Sequence, residues 1–224
     1  MVDKVIQTNS VTIVGKVVDE LEFSHEMYGE GFYNFCIEVP RLSEHSDVLP
    51  VTISERLLVN MDVKPGMDLV IEGQLRSYNR YVNGSNKLVL TVFARDAYVP
   101  PSEEELEQLY KKPNEIFLDG YICKNPVYRT TPFGREITDL LIAVNRPYNK
   151  SDYIPCIAWG RNARFCEKLK VGDHIKLWGR IQSREYQKKL DNGEVENRVA
   201  YEVSISKLEY IENDNNRLEK DENE

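Results

Sequence analysis

The chain has 224 residues, with 29 Lys and Arg against 37 Asp and Glu, a formal net charge of −8 and 41% hydrophobic residues. That length holds one large domain or two of about 100 residues, each able to bury a core. Apolar runs such as Leu140 to Val144 stop far short of the ~20 residues of a membrane span, and Met1 to Ser10 has no apolar signal core, so a soluble cytoplasmic chain is expected, and the acidic balance speaks against nucleic acid until the charges are located.

In chain order the sequence reads itself twice. Asn9 to Gly15 (NSVTIVG) aligns with Asn114 to Gly120 (NEIFLDG) at an offset of 105, and the same offset pairs Gly29 with Gly134, Ile37 with Ile142, Arg41 with Arg146, Asp47 with Asp152, Pro50 with Pro155 and Arg56 with Arg161. One inserted residue then moves the offset to 106, and Lys64, Gly66, Gly73 and Ser77 meet Lys170, Gly172, Gly179 and Ser183. A unit of this size repeated once is a tandem of domains, not a solenoid. The expected boundaries are copy one at 1–99, a linker at 100–113, copy two at 114–211 and an acidic tail at 212–224.

Copy one carries strand patterns, a helix over Ser54 to Met61 and a Lys64-Pro65-Gly66 turn. In the linker, Ser102 followed by Glu105 is a capping-box pattern that predicts a short helix. Copy two gives strands over Ile116 to Cys123, Ile137 to Val144 and Tyr153 to Trp159, a helix of about two turns over Asn162 to Lys168, and strands over Ile175 to Ile181 and Tyr201 to Ile205. Turns fall at Pro132-Phe133-Gly134 and Val171-Gly172-Asp173, and Asp191-Asn192-Gly193 lies in a long hairpin before the fifth strand. The tail has almost nothing to bury and is expected to be disordered.

Five strands with one helix between the third and fourth, in both copies, is the strand order of the oligonucleotide- and oligosaccharide-binding (OB) barrel. The predicted fold class is therefore all-β, two tandem five-stranded OB barrels, with Gly15, Gly73, Gly120 and Gly179 where strands bend at barrel corners. The alternative is a pair of unrelated small β-sandwiches, against which stands the common place of the helix.

Charge divides unevenly. Residues 1–99 carry 9 basic and 14 acidic side chains, whereas residues 114–211 carry 16 and 13. Copy two is basic inside an acidic chain, and local charge is what a phosphate-binding groove needs. Its clusters are Arg161 with Arg164, Lys168 with Lys170, and Arg180, Arg184, Lys188 and Lys189. Aromatic side chains accompany them: Tyr148, Tyr153, Trp159, Trp178 and Tyr186 lie on or beside the second, third and fourth strands. Rings beside a basic track are what sequence-independent single-strand binding uses.

The segments NEIFLDGYICKNPVYRTTPFGREI, LLIAVNRPY, YIPCIAWGR and VGDHIKLWGRIQSREY resemble the bacterial single-stranded DNA-binding protein family. By that resemblance Tyr148, Tyr153, Trp159 and Tyr186 are the base-stacking candidates; the basic residues of copy two, Arg146, Lys150, Arg161, Arg164, Arg180, Arg184 and Lys188, are the candidate phosphate contacts. The implied function is protection of single-stranded DNA in replication, repair or recombination, in the cytoplasm at the bacterial nucleoid. Copy one departs from the pattern, with Leu42 or Ser43 opposite Tyr148, Val48 opposite Tyr153 and Ser54 opposite Trp159, so it reads as an architectural barrel, with Arg41, Arg56, Arg76, Tyr78 and Arg80 left as a secondary track. Family members usually assemble four OB domains, which two per chain reach as a homodimer. The family's acidic tip with Pro and a terminal Phe, captured by replication and repair partners, has no match in Leu218 to Glu224 (LEKDENE).

An enzyme is not expected, since His25, His45 and His174 have no nucleophile motif beside them and no GxSxG, HExxH or phosphate-loop pattern occurs. No cofactor is implied. Cys123, Cys156, Cys166 and His174 match no zinc spacing, and the four cysteines, with Cys36, show no CxxC and read as small apolar residues of a reducing compartment. The competing functions are protein docking without DNA binding, and RNA binding by the same fold.

Overall fold

The computed structural model describes residues 8–82, 84–189, 193 and 195–212. Twelve strands and three short helices alternate along them. Contacts group the chain into two compact units, one formed by Ser10–Ile116 with Arg180–Val203, the other by residues 8–9, 117–179 and 204–212 among those described. The expected boundaries follow chain order, whereas this grouping takes the outer half of copy two's last hairpin into the unit of copy one.

The first unit contains β1 (Asn9–Val17), β2 (Glu22–Met27), β3 (Glu30–Pro40), β4 (Ser46–Ser54), α1 (Glu55–Leu58), β5 (Asp68–Val82), β6 (Ser85–Tyr98) and α2 (Glu103–Leu109). β1 pairs antiparallel with β5 and, at its end, with β3; β3 pairs with β4, β4 runs parallel to β6, and β6 pairs with β5. These pairings close a ring of five strands, with β2 added outside on β3. Alternating side chains fill it: Ile13, Ile37, Leu49, Val51, Ile53, Leu69, Ile71, Leu75 and Val92 are buried. α1 is shorter than the expected Ser54 to Met61, because Asn60 and Asp62 favour turns over helix and Pro65 follows. α2 starts where the capping pattern predicts, with the Ser102 hydroxyl accepting from the Glu105 amide at 3.2 Å.

The second unit repeats the plan with β7 (Asn114–Ile122), β8 (Val127–Thr130), β9 (Glu136–Arg146), β10 (Lys150–Trp159), α3 (Arg161–Cys166), β11 (His174–Lys189) and β12 (Val195–Ile211). The order β7-β11-β12-β10-β9 closes by pairing of β7 with β9 around Leu118, Ile122, Ile142, Val144, Ile154, Ile175 and Leu177. β8 is an additional strand on β9. The all-β class holds, with one unforeseen outer strand per barrel. β11 and β12 run well beyond the expected Ile175 to Ile181 and Tyr201 to Ile205, forming a long ribbon whose outer half belongs to the first unit.

The four corner glycines occupy equivalent places. A Cβ on Gly15 would fall on the Glu38 carbonyl, on Gly73 on that of Phe93, on Gly120 on that of Ala143 and on Gly179 on that of Ser204. Strands cross so closely there that only glycine fits. Among the described residues no helix is long and apolar enough to cross a membrane. The tail from 213 on, and Asp191 and Asn192 of the expected turn, lie outside the described residues.

Candidate nucleic-acid interface

The β9–β10 hairpin gathers most of the predicted stacking residues. Arg146 and Lys150 are partners across its end, so Pro147, Tyr148 and Asn149 form the tip. Tyr148 has φ +62° and Asn149 φ +54°. The left-handed conformation costs a non-glycine residue about 1–2 kcal/mol, and at this tip it puts the tyrosine ring into solvent, 94% exposed.

Along β10, Ile154, Cys156 and Ala158 face the core, while Tyr153 and Trp159 lie on the outer face at 48% and 37% exposure. Six residues of strand separate them by about 20 Å. The Trp159 indole Nε1–H donates to Ser204 Oγ at 3.2 Å, so the ring's polar edge is held by β12. Gly160 follows with φ +54°, a conformation that turns the strand sharply into α3 and that a side chain would resist. Arg161 and Arg164 therefore start the helix directly beside Trp159, both exposed, Arg164 with Glu136 at 2.9 Å. Lys150 is exposed at the other end.

Arg146 is differently placed. Its Nε lies 3.1 Å from the carboxylate of Asp152, which is fully buried. The same pair recurs in copy one as Arg41 and Asp47, with contacts of 2.6 and 2.8 Å.

Tyr186 and the remaining cations lie on the outer half of the ribbon, in the other unit. Arg184 sits 5.8 Å from the centre of the Tyr186 ring, which is 37% exposed, and 3.8 Å from Glu202. Arg180 is half-buried, 3.2 Å from Asp47. Burial pushes its guanidinium pKa down and neighbouring Arg41 adds to this, with Asp47 opposing. The Lys188 side chain lies outside the described residues.

Residues that the sequence reading passed over or left open share the outer surface of the second barrel. Phe117 and Trp178 pack at 5.1 Å between ring centres, with the Lys207 ammonium 4.5 Å from the Trp178 ring. Tyr121 stacks on His174 at 4.5 Å, and His174 Nε2 lies 2.5 Å from Asp119, whose other oxygen is 3.7 Å from Lys176. Their signal was the outward phase of two strands, Phe117-Asp119-Tyr121 and His174-Lys176-Trp178, opposite Leu118, Ile175 and Leu177.

Copy one answers differently at the equivalent places. Ser54, in the position of Trp159, is buried; its hydroxyl accepts from the Arg56 amide at 3.1 Å and donates to Glu30, so a ring is replaced by a helix cap. Residues 17–40 carry six carboxylates and no lysine or arginine.

The match to a known family follows this division. The model of the Single-strand binding protein family matches residues 113–211. The single-stranded DNA-binding protein of Halalkalibacterium halodurans is 31% identical over 106 residues, 44% of this chain and 61% of that protein. Single-stranded DNA-binding protein 2 of Listeria monocytogenes is 30% identical over 113 residues, 47% of this chain and 68% of that one. The chain thus spans about three-fifths of the first of these relatives. The crystal structure of the wild-type single-stranded DNA binding protein from Thermus aquaticus superposes with a TM-score of 0.71 over 92% of this chain and 93% of that one, at 18% identity, which establishes likeness of fold. With the repeated closed barrels, the outward rings of β10 and the match over 113–211, the chain belongs to the Single-strand binding protein family.

Proposed function

We propose that the chain binds single-stranded DNA without reading its sequence and shields exposed strands during replication, repair or recombination. The observation that carries this reading is the β9–β10 hairpin, which turns Tyr148, Tyr153 and Trp159 to solvent with Lys150 at one end and Arg161 and Arg164 at the other. Rings give each base a face to stack on and cations track the phosphates, and neither contact distinguishes one base from another. Tyr186 and Arg184 supply a second platform on the ribbon. The names of the curated relatives point to the same ligand. The reading is of a cytoplasmic binding protein, not a catalyst, and two barrels per chain make a homodimer the natural route to four.

The test is a titration of intrinsic tryptophan fluorescence with thymine oligonucleotides at two salt concentrations, beside duplex DNA and RNA of equal length. Quenching by the single strand that weakens as salt rises supports the reading. Absence of quenching at low salt refutes it, and tighter binding of RNA than of DNA would shift the ligand class.

A further inference from the structure

The ribbon that carries Tyr186 is fastened to barrel one. Ile181 and Tyr201 line one small apolar cavity together with Leu49, Pro50, Leu75, Leu90 and Val92. Asn114 clasps the Ile181 peptide from both sides, accepting from its N–H at 2.9 Å and donating to its carbonyl at 2.7 Å. The centre of the attachment is the fully buried carboxylate of Asp47. One of its oxygens accepts from the Ser183 backbone N–H at 2.7 Å, the Ser183 hydroxyl at 3.2 Å and Arg41 at 2.6 Å. The other accepts from Arg41 at 2.8 Å and Arg180 at 3.2 Å, and Arg41 donates onward to the Ser183 carbonyl at 3.3 Å. A buried carboxylate is stable only when so surrounded, and here the donors come from residues 133 and 136 positions away in the chain.

Strand geometry gives the attachment a functional direction. Ser183 turns its hydroxyl to Asp47, so by the alternation of a β-strand Arg184 takes the opposite face, and Tyr186 shares that face with it. We infer that Asp47 of copy one is a positioning residue for nucleic-acid binding by copy two: it fixes the start of the ribbon and thereby the place of Arg184 and Tyr186. The inference rests on the reading of Tyr186 as a stacking platform. It gives a copy that lacks three of the four stacking positions a task in the binding done by the other.

The experiment uses the full-length chain as wild type, Asp47→Asn, Tyr186→Ala and the double variant, with thymine oligonucleotide affinity and amide hydrogen exchange of the free proteins as readouts. Asp47→Asn keeps the side-chain shape and removes the charge that holds Ser183. Expected are faster exchange across 181–187 with unchanged exchange in β9 and β10, and an affinity loss of about tenfold in the wild-type background that shrinks to about twofold beside Tyr186→Ala. A merely structural role would leave the two losses additive. Additive losses, or unchanged ribbon exchange, overturn the inference while the functional reading stands. Absence of oligonucleotide binding by the wild type overturns the reading and the inference with it. Should Asp47→Asn unfold barrel one, Ser183→Ala removes a single bond of the node and is expected to show the same non-additive pattern at about two- to threefold; additivity there is equally fatal.

Discussion

Trp159 and Ser204 meet across β10 and β12, the indole Nε1–H donating to the serine Oγ at 3.2 Å. The bond fixes the polar edge of a ring that is otherwise outward-facing, so its tilt is set before any ligand arrives, and in the proposed stacking role this lowers the ordering cost of binding. Trp159→Ala is expected to weaken thymine oligonucleotide binding by about 1–3 kcal/mol. Trp159→Phe retains a stacking face and loses less, and Ser204→Ala loses about 0.5–1.5 kcal/mol through ring freedom alone. Fluorescence anisotropy of a labelled oligonucleotide ranks the three. Wild-type affinity in Trp159→Ala would remove this residue from the interface.

Tyr148 couples backbone strain to exposure. At φ +62° a tyrosine is held where asparagine or glycine is at ease. Tyr148→Asn keeps the hairpin and is expected to raise stability by up to about 1 kcal/mol, since Asn tolerates the left-handed region. The same change deletes a ring and lowers oligonucleotide affinity by about 1–3 kcal/mol. Opposite movements of urea midpoint and affinity are the signature. A loss of both would mean that the ring packs on the protein.

Much of this was legible in the residues, and the remainder has identifiable physical causes. The register of the repeat located the corner glycines, whose close approaches recur at Gly15 and Gly120 and again at Gly73 and Gly179. Alternation placed Tyr153 and Trp159 outside. β2 escaped because every residue from Glu22 to Met27 is exposed, so no buried face marks its period. A long hairpin between the last two strands was legible, but the pairing of its strands beyond Ile181 was not: Gln182 and Glu202 are buried as a hydrogen-bonded polar pair at 2.7 Å, without the apolar alternation of a core strand. The ribbon's seat on Asp47 joins residues more than 130 positions apart, which no local pattern reports.

Arg146 and Arg161 were both read as phosphate contacts, yet their surroundings predict different behaviour. Arg146 neutralises the buried Asp152, whereas Arg161 begins α3 in solvent. Removing one partner of a buried pair costs about 3–5 kcal/mol, so Arg146→Gln is expected to lower the urea midpoint sharply. Arg161→Gln is expected to leave stability within about 0.5 kcal/mol and to reduce the slope of log affinity against log salt by about one. Matching denaturation curves and matching salt slopes for the two variants would contradict this division.

The cysteines give the chain an alkaline limit. Burial pushes the Cys166 thiol up to about 12, and burial aided by the Asp19 carboxylate pushes Cys36 up to about 11, against an ordinary value of 9.0. In the unfolded chain both thiols ionise near the ordinary value, while the folded chain keeps their protons until the raised values are reached. Between the two the folded state binds more protons than the unfolded one, so the stability these thiols contribute is complete below about pH 9 and lost progressively above it. The urea midpoint is therefore expected to fall from about pH 9 to about pH 11. Burial also raises Tyr201, which adds a decline of the same sign. The thiol part is isolated by a Cys36→Ala, Cys166→Ala double variant, whose midpoint starts lower but declines less steeply. In the wild type, a thiol-reactive dye at about pH 8 should label both residues far more slowly than in urea, because only the thiolate reacts. Parallel declines in wild type and variant, or prompt labelling of folded Cys166, would show that its proton is not held by burial.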